Sequence, residues 1–323
     1  MKREKDFIIS DMDKKNLKVI FMGTPEISAT VFEAMILDGY QFVGLIAQPD
    51  RPVGRRGELE KVPTKVIAEK YNIPVFQPIK IRKEYDFVKE LHPDIIITLA
   101  YGQIVPQGLL DIPQYGCLNL HGSLLPKYRG AAPIQYSLIN GDKVTGMTLM
   151  EMVAAMDAGK MYAKKEVVIE DDDNSTSLFL KMADAAKELI LEKLPLYIDG
   201  KLPGIKQDES LVSFCPTIKP EQEKLDLSLT AKEIWGWIRG LSEHPGAYFM
   251  LEGKKLKVFK SQLLNNNETH EIGEIIQADK RGLVVQLKEG QLSLLELQKE
   301  GKNRMDYKSF LNGNQGLLGK KLD

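Results

Sequence analysis

The 323-residue chain is 43% apolar and 28% charged, with a net charge of −1. These proportions exclude a disordered, collagenous or disulfide-framed protein and leave an ordinary globular chain long enough for two domains. The near-neutral charge neither demands nor forbids a polyanionic partner. No apolar run of about 18 residues is present, so no membrane partner is expected.

Cys117 and Cys215 lack a CxxC spacing and read as reduced structural thiols. Residues 1–16 are charged, without the apolar stretch of a signal peptide, and are expected to be an extension outside the fold.

The run Leu17–Met22 predicts a first buried strand, and Gly23-Thr24-Pro25 a tight turn into a helix, with Pro25 suited to its first turn. A strand, a glycine turn and a helix open a doubly wound fold. One glycine does not make a dinucleotide fingerprint, which needs three. Phe42–Ala47 predicts the second strand. The loop after it, 48–62, is long and punctuated by Pro and Gly, and it carries Arg51, Arg55, Arg56 and Lys61. A loop of that length is either functional or a solvated charged segment. A short helix from Pro63, a short strand at 74–77 and an amphipathic helix over 82–92 are expected next. Asp94–Leu99 is a continuous apolar run of the kind buried on both faces of a parallel sheet. It ends in Ala100-Tyr101-Gly102-Gln103.

The central stretch is Cys117-Leu-Asn119-Leu-His121-Gly-Ser123-Leu124-Leu125-Pro126, with Arg129 and Gly130 behind it. Its apolar alternation predicts a strand. Asn119 and His121 stand two apart and so share a face, near the carboxyl end where open α/β sheets bind ligands. Further on, the loop Val153–Gly159 brings Asp157. An amide, an imidazole and a carboxylate that converge suit acyl transfer to an amine. The first two donate to an oxyanion, and the third orients the imidazole and balances its charge. Ser123 follows His-Gly, but the GxSxG pattern of a hydrolase is absent. Four scattered histidines make no metal-ligand cluster, so no metal is expected.

A helix capped by Asn174-Ser-Thr-Ser177 and running to about Tyr197 closes a first domain over 17–198. Residues 199–216 have the Pro and Gly content of a linker. From 217 to 323 a helix with Trp235 and Trp237 precedes five short alternating runs, which predict a small OB-like β-barrel. Residues 206–323 hold 18 Lys and Arg against 17 Asp and Glu. No strongly basic domain exists, and any nucleic-acid contact must use a local face such as Lys254, Lys255, Lys257 and Lys260.

The Asn119-x-His121-Gly-Ser-Leu-Leu-Pro126 segment with the later Asp157 resembles the signature of the folate-dependent formyltransferases. With the loop Gln48-Pro-Asp-Arg-Pro52 and Gly54-Arg55, the likeness runs over about residues 17–323 and points to the branch of that family acting on tRNA. The resemblance implies a formyltransferase fold, a Rossmann-like doubly wound and mostly parallel sheet, followed by the OB-like barrel. It implies 10-formyltetrahydrofolate as formyl donor and the α-amine of initiator methionyl-tRNA as acceptor. Asn119, His121 and Asp157 are the implied catalytic residues. Ser123, Leu124, Leu125 and Pro126, with Tyr101 and Gly102, are the implied folate contacts. Arg51, Arg55 and Arg56 are the implied tRNA contacts; Arg129 either positions the aminoacyl end or braces its loop. A monomer in the cytoplasm is implied as well. Val153 departs from the family pattern, which often has Asp there. A formyltransferase for a small amine would share the core but lack the arginine loop and the barrel. A non-catalytic RNA-binding protein would have no need of the intact Asn119, His121 and Asp157.

Overall fold

The computed structural model describes residues 11–53, 57–264 and 270–323. Arg55 and Arg56 therefore lie outside the described residues. The chain forms two compact units that are not consecutive in sequence. The first gathers the chain up to Gly130 with Gly146–Val167 and Leu180–Phe214; the second gathers Ala131–Thr145, Val168–Phe179 and Cys215–Asp323. The linear division into 17–198, 199–216 and 217–323 thus differs from the grouping by contacts. Residues 199–214 pack within the first unit, where Ile205 exchanges backbone hydrogen bonds with Met161 at 2.8 Å.

The first unit is built on a sheet of seven strands: β1 (Lys18–Gly23), β2 (Gln41–Ile46), β3 (Val75–Phe76), β4 (Ile95–Leu99), β5 (Cys117–His121), β6 (Val144–Glu151) and β7 (Met161–Val168). Their spatial order is β7-β6-β5-β4-β1-β2-β3. Strands β3, β2, β1, β4 and β5 run parallel, and β6 is antiparallel to β5. Every residue of β4 and all but the first of β1 are buried, which is why these runs read as continuously apolar rather than alternating. The order reverses between β1 and β4, and a crevice opens there at the carboxyl ends of the strands. Helix α1 (Glu26–Leu37) packs on β1 through Phe32, whose ring stacks on Phe21 at 4.9 Å. Within residues 11–16, a helical turn, Lys14 pairs with Asp38 at 2.8 Å, so the extension is tied to the fold at that point.

Two stretches differ from the expected elements. Loop 48–62 contains a short antiparallel hairpin that pairs Arg51–Val53 with Glu58–Glu60. The helix expected over 82–92 is only Asp86–Leu91, here α2. Residues 80–84 instead form a separate turn, in which the Lys83 and Glu84 amides donate to the Lys80 carbonyl and the Glu84 carboxylate accepts from the amides of Ile79 and Lys80. His92 ends α2 in the left-handed region, φ 46°, before Pro93.

In the second unit, α3 (Pro133–Ile139) lies against α4 (Ala231–Leu241) at very short range. A Cβ on Gly236 would stand 2.4 Å from the Ile139 carbonyl, so only glycine admits this approach. Thr230 and Glu233 close a capping box at the start of α4. Asn174 accepts from the Ser177 amide at 3.0 Å, the cap expected there. Both Trp235 and Trp237 pack against the apolar core of this unit. The barrel strands are β8 (Ala247–Leu251), β9 (Lys254–Leu264), β10 (Ile275–Asp279), β11 (Gly282–Leu287) and β12 (Gly290–Lys299), in the order β8-β9-β12-β11-β10. The C-terminal residues bridge the two outer strands. Leu322 pairs with Leu251, and Lys321 pairs with Glu274 at the entry to β10. The tail thereby covers edges that would otherwise present unpaired amides. Lysines 254, 255, 257 and 260 lie on β9, an interior strand rather than an edge.

Candidate functional site

Asn119 and His121 project from β5 as the alternation predicts, beside Met150 and Thr148 of β6. His121 is 5% exposed, and Asn119 keeps more of its surface. The imidazole is anchored at one nitrogen and faces a carboxylate at the other. Nε2 stands 2.7 Å from the Tyr128 carbonyl oxygen, which only accepts, so Nε2 carries a proton and donates. Nδ1 faces the Asp157 carboxylate at 3.7 Å. That distance is too long for a direct hydrogen bond and leaves Nδ1 as the ring atom able to meet a reacting oxygen.

Asp157 is fixed from several directions. It adopts φ 50°, one of the few left-handed non-glycine residues among those described. Its Oδ2 accepts from the Gly130 amide at 2.8 Å, and its carbonyl accepts from Gln207 Nε2 at 2.6 Å. Gln207 also holds the Gly159 carbonyl at 2.9 Å. A Cβ on Gly159 would overlap the Glu151 carbonyl at 1.9 Å, which explains the glycine two residues after the carboxylate. Arg129 completes the support. Its Nε donates to Gln207 Oε1 at 3.0 Å, and its two Nη groups form a fork on Glu209. Arg129 is 5% exposed and its guanidinium is engaged within the first unit, an arrangement that suits a brace.

The motif after His121 is partly turned inward. The Ser123 hydroxyl donates to the Lys127 carbonyl, and Thr148 Oγ1 bridges the Ser123 carbonyl and the Leu125 amide. Leu125 is fully buried against Met150 and Met161. Ser123 and Leu125 therefore offer no side-chain surface to a ligand, while Leu124 and Pro126 do. Lys164 donates to the Leu125 carbonyl at 2.5 Å, and burial lowers its ammonium from the usual value.

At the crevice, a cleft of about 570 Å³ is lined by Thr24, Gln48, Arg51, Lys61 and the turn Ala100–Gly102. The Tyr101 ring is not a wall of this cleft. It is 3% exposed and packed in the apolar core, where burial pushes its phenol up. Its backbone carbonyl faces the cleft side and accepts from Gln48 Nε2 at 3.0 Å and Thr24 Oγ1 at 3.3 Å. Gly102, at φ 88°, lines the cleft directly. Arg51 is exposed at the rim. A larger hollow of about 770 Å³ belongs to the second unit; its lining includes the pairs Lys143–Asp171 and Arg304–Glu296 and no histidine.

Sequence reasoning missed Gln207, Gln48, Gln103 and Thr148. Gln48 and Gln103 stood in stretches that drew attention without a role of their own, whereas Thr148 gave no signal and Gln207 only its place next to two acidic residues in a stretch taken for a linker. Among the described residues no three His, Cys, Asp or Glu side chains gather as a metal site, and no helix is long and apolar enough to cross a membrane.

Residues 15–194 match the formyl transferase family, and residues 217–315 match the formyl transferase C-terminal domain. The chain is 46% identical to a methionyl-tRNA formyltransferase of Bacillus cereus over 309 residues, 95% of this chain and 98% of that one. It is 45% identical over the same span to one of Bacillus thuringiensis. Among solved structures it resembles an N-formyltransferase from Helicobacter canadensis, with a TM-score of 0.66 at 18% identity, over 88% of this chain and 99% of that one. It also resembles HypX from Aquifex aeolicus in complex with tetrahydrofolic acid, with a TM-score of 0.64 at 14% identity, over 94% of this chain and 48% of that one. At such identities the likeness establishes the fold alone.

Proposed function

Since the chain belongs to the methionyl-tRNA formyltransferase family, we propose that it transfers the formyl group of 10-formyltetrahydrofolate to the α-amine of initiator methionyl-tRNA. The observation that carries the assignment of roles is the His121 ring, anchored at Nε2 by Tyr128 and turned at Nδ1 towards Asp157.

The neutral amine attacks the formyl carbon, and the carbonyl oxygen becomes an oxyanion. The Asn119 carboxamide and a proton on His121 Nδ1 donate to that oxygen. Asp157 balances the charge on the ring and relays the amine proton towards N10 of the folate as the carbon–N10 bond breaks. The products are the formamide and tetrahydrofolate, so atoms and charge balance without a covalent enzyme intermediate. Removing one oxyanion donor of this kind costs about 3 kcal/mol, or roughly 100-fold in rate.

The folate lies in the cleft beside Gly102 and reaches the Asn119–His121 face past Leu124 and Pro126. The acceptor end of the tRNA meets the Arg51 side of loop 48–62, with Arg55 and Arg56 on the same loop. Arg129 acts as a brace for the Asp157 loop. The chain works as a monomer in the cytoplasm, where initiator tRNA is formylated.

The test is a formyl-transfer assay with 10-formyltetrahydrofolate and two acceptors, methionyl initiator tRNA and glycinamide ribonucleotide. Transfer to the charged tRNA alone is expected. Transfer to the small amine alone overturns the acceptor. Arg55→Ala should raise KM for tRNA and leave KM for the folate unchanged.

A further inference from the structure

The loop between β3 and α2 carries Lys80, Arg82 and Lys83, all exposed. With Gln103 and Ile104 they line a separate hollow of about 250 Å³. The carboxylate inside this loop, Glu84, uses its two oxygens on the amides of Ile79 and Lys80, and the nearby Asp86 pairs with Lys89. Three cations around one hollow, with one carboxylate turned onto the backbone, leave a local positive surplus that an anionic ligand would relieve.

The hollow is fastened to the cleft of the first unit through a single side chain. Gln103 Oε1 accepts from the Ile81 amide at 2.9 Å, and its Nε2 donates to the Pro78 and Ile79 carbonyls and to Gln48 Oε1. Gln48 lines the cleft, and Gln103 follows the Ala100–Gly102 turn that borders it. Ile81 is fully buried in the core beneath, so the basic loop is held in place rather than free to swing away. Ile79 and Ile104, 74% and 60% exposed, flank the cations with apolar surface.

We propose that Lys80, Arg82 and Lys83 form a subsite for the γ-linked glutamate chain of the folate donor, binding its successive carboxylates just outside the cleft. The methylenes of such a chain suit the exposed isoleucines, as its carboxylates suit the cations. The lining residues include no aromatic ring on which a nucleic-acid base could stack, which favours a carboxylate chain over a single-stranded RNA end. The inference rests on the reading that the 100–103 turn borders the folate.

The experiment compares tetrahydrofolate with one and with five glutamates, by equilibrium binding to the full chain and by formylation with the matching 10-formyl donors. It uses the unaltered protein and the triple variant Lys80→Gln, Arg82→Gln, Lys83→Gln. Exposed ion pairs are each worth a few-fold at most, so about a tenfold preference for the longer chain is expected. The preference should fall as salt is raised. The triple variant should bind both forms within about twofold of each other, with kcat and the affinity for the single-glutamate form unchanged. Equal binding of both forms by the unaltered protein, or a preference kept by the variant, overturns the subsite. A variant whose only change is a higher KM for tRNA overturns it too, and places RNA phosphates at the loop. If neither folate binds, the reading of the cleft itself fails, a result distinct from the others.

Discussion

Arg129 and Gln207, 78 positions apart in sequence, are joined by a 3.0 Å hydrogen bond from Nε to Oε1, and through it the Asp157 loop is tied to the segment that follows the His121 strand. Gln207 has both ends engaged, one by a guanidinium and the other by the carbonyls of Asp157 and Gly159. The position of the Asp157 loop therefore depends on Arg129 and Gln207 as well as on its own chain neighbours.

Gln207→Leu should expose this dependence. It leaves a buried guanidinium N–H and two carbonyls without partners, at about 1–3 kcal/mol of stability for each buried group left unpaired. A lower urea midpoint is expected, with a drop in kcat larger than any change in KM. Arg129→Lys should behave similarly, because an ammonium cannot reproduce the fork on Glu209 together with the bond to Gln207. Glu209→Gln should leave the urea midpoint nearly unchanged, since Glu209 is largely exposed. If Arg129→Lys changed only the KM for tRNA, the brace would be the wrong role.

Asp157→Asn keeps an oxygen for the Gly130 amide but removes the charge beside His121 Nδ1. A fall in single-turnover formylation of about 100-fold or more is expected, with tRNA binding intact. Activity within threefold of the unaltered protein would remove Asp157 from the mechanism.

Thr98 sits in register with Asn119 across β4 and β5, and its hydroxyl is buried without a hydrogen-bond partner. An unpaired buried hydroxyl costs stability, so Thr98→Val should be neutral or up to about 1 kcal/mol more stable in thermal unfolding. Marked destabilisation would mean that the hydroxyl is paired in solution.

The Cys117 thiol is pushed up from 9.0 to about 12 by burial, with Asp111 adding to the effect. Its neutral form is favoured in the fold, so the stabilisation is complete below about pH 9 and is lost as pH rises towards 12. The Tm advantage of the unaltered chain over Cys117→Ala should accordingly shrink as pH is raised above 9. At pH 8 the native chain should resist iodoacetamide at both cysteines, which are buried. Rapid labelling would contradict the burial.

Much of this molecule was legible in the sequence. The buried strands showed as apolar runs, the helix starts as Pro25 and Asn174, and the Asn119–His121 face as a spacing of two. These features are local: a side-chain period or a cap is decided by neighbours in the chain. The tertiary structure decided what depends on distant partners. Tyr128 and Asp157 divide the two nitrogens of His121 between them. Gln207 returns from a segment that looked like a linker to hold the Asp157 loop. Glu84 turns back onto the amides of Ile79 and Lys80 ahead of α2, and residues 321–322 bridge the outer strands of the barrel. Hydrogen-bond partners brought together by chain return leave no period and no motif, because polar side chains are selected there by geometry rather than by pattern.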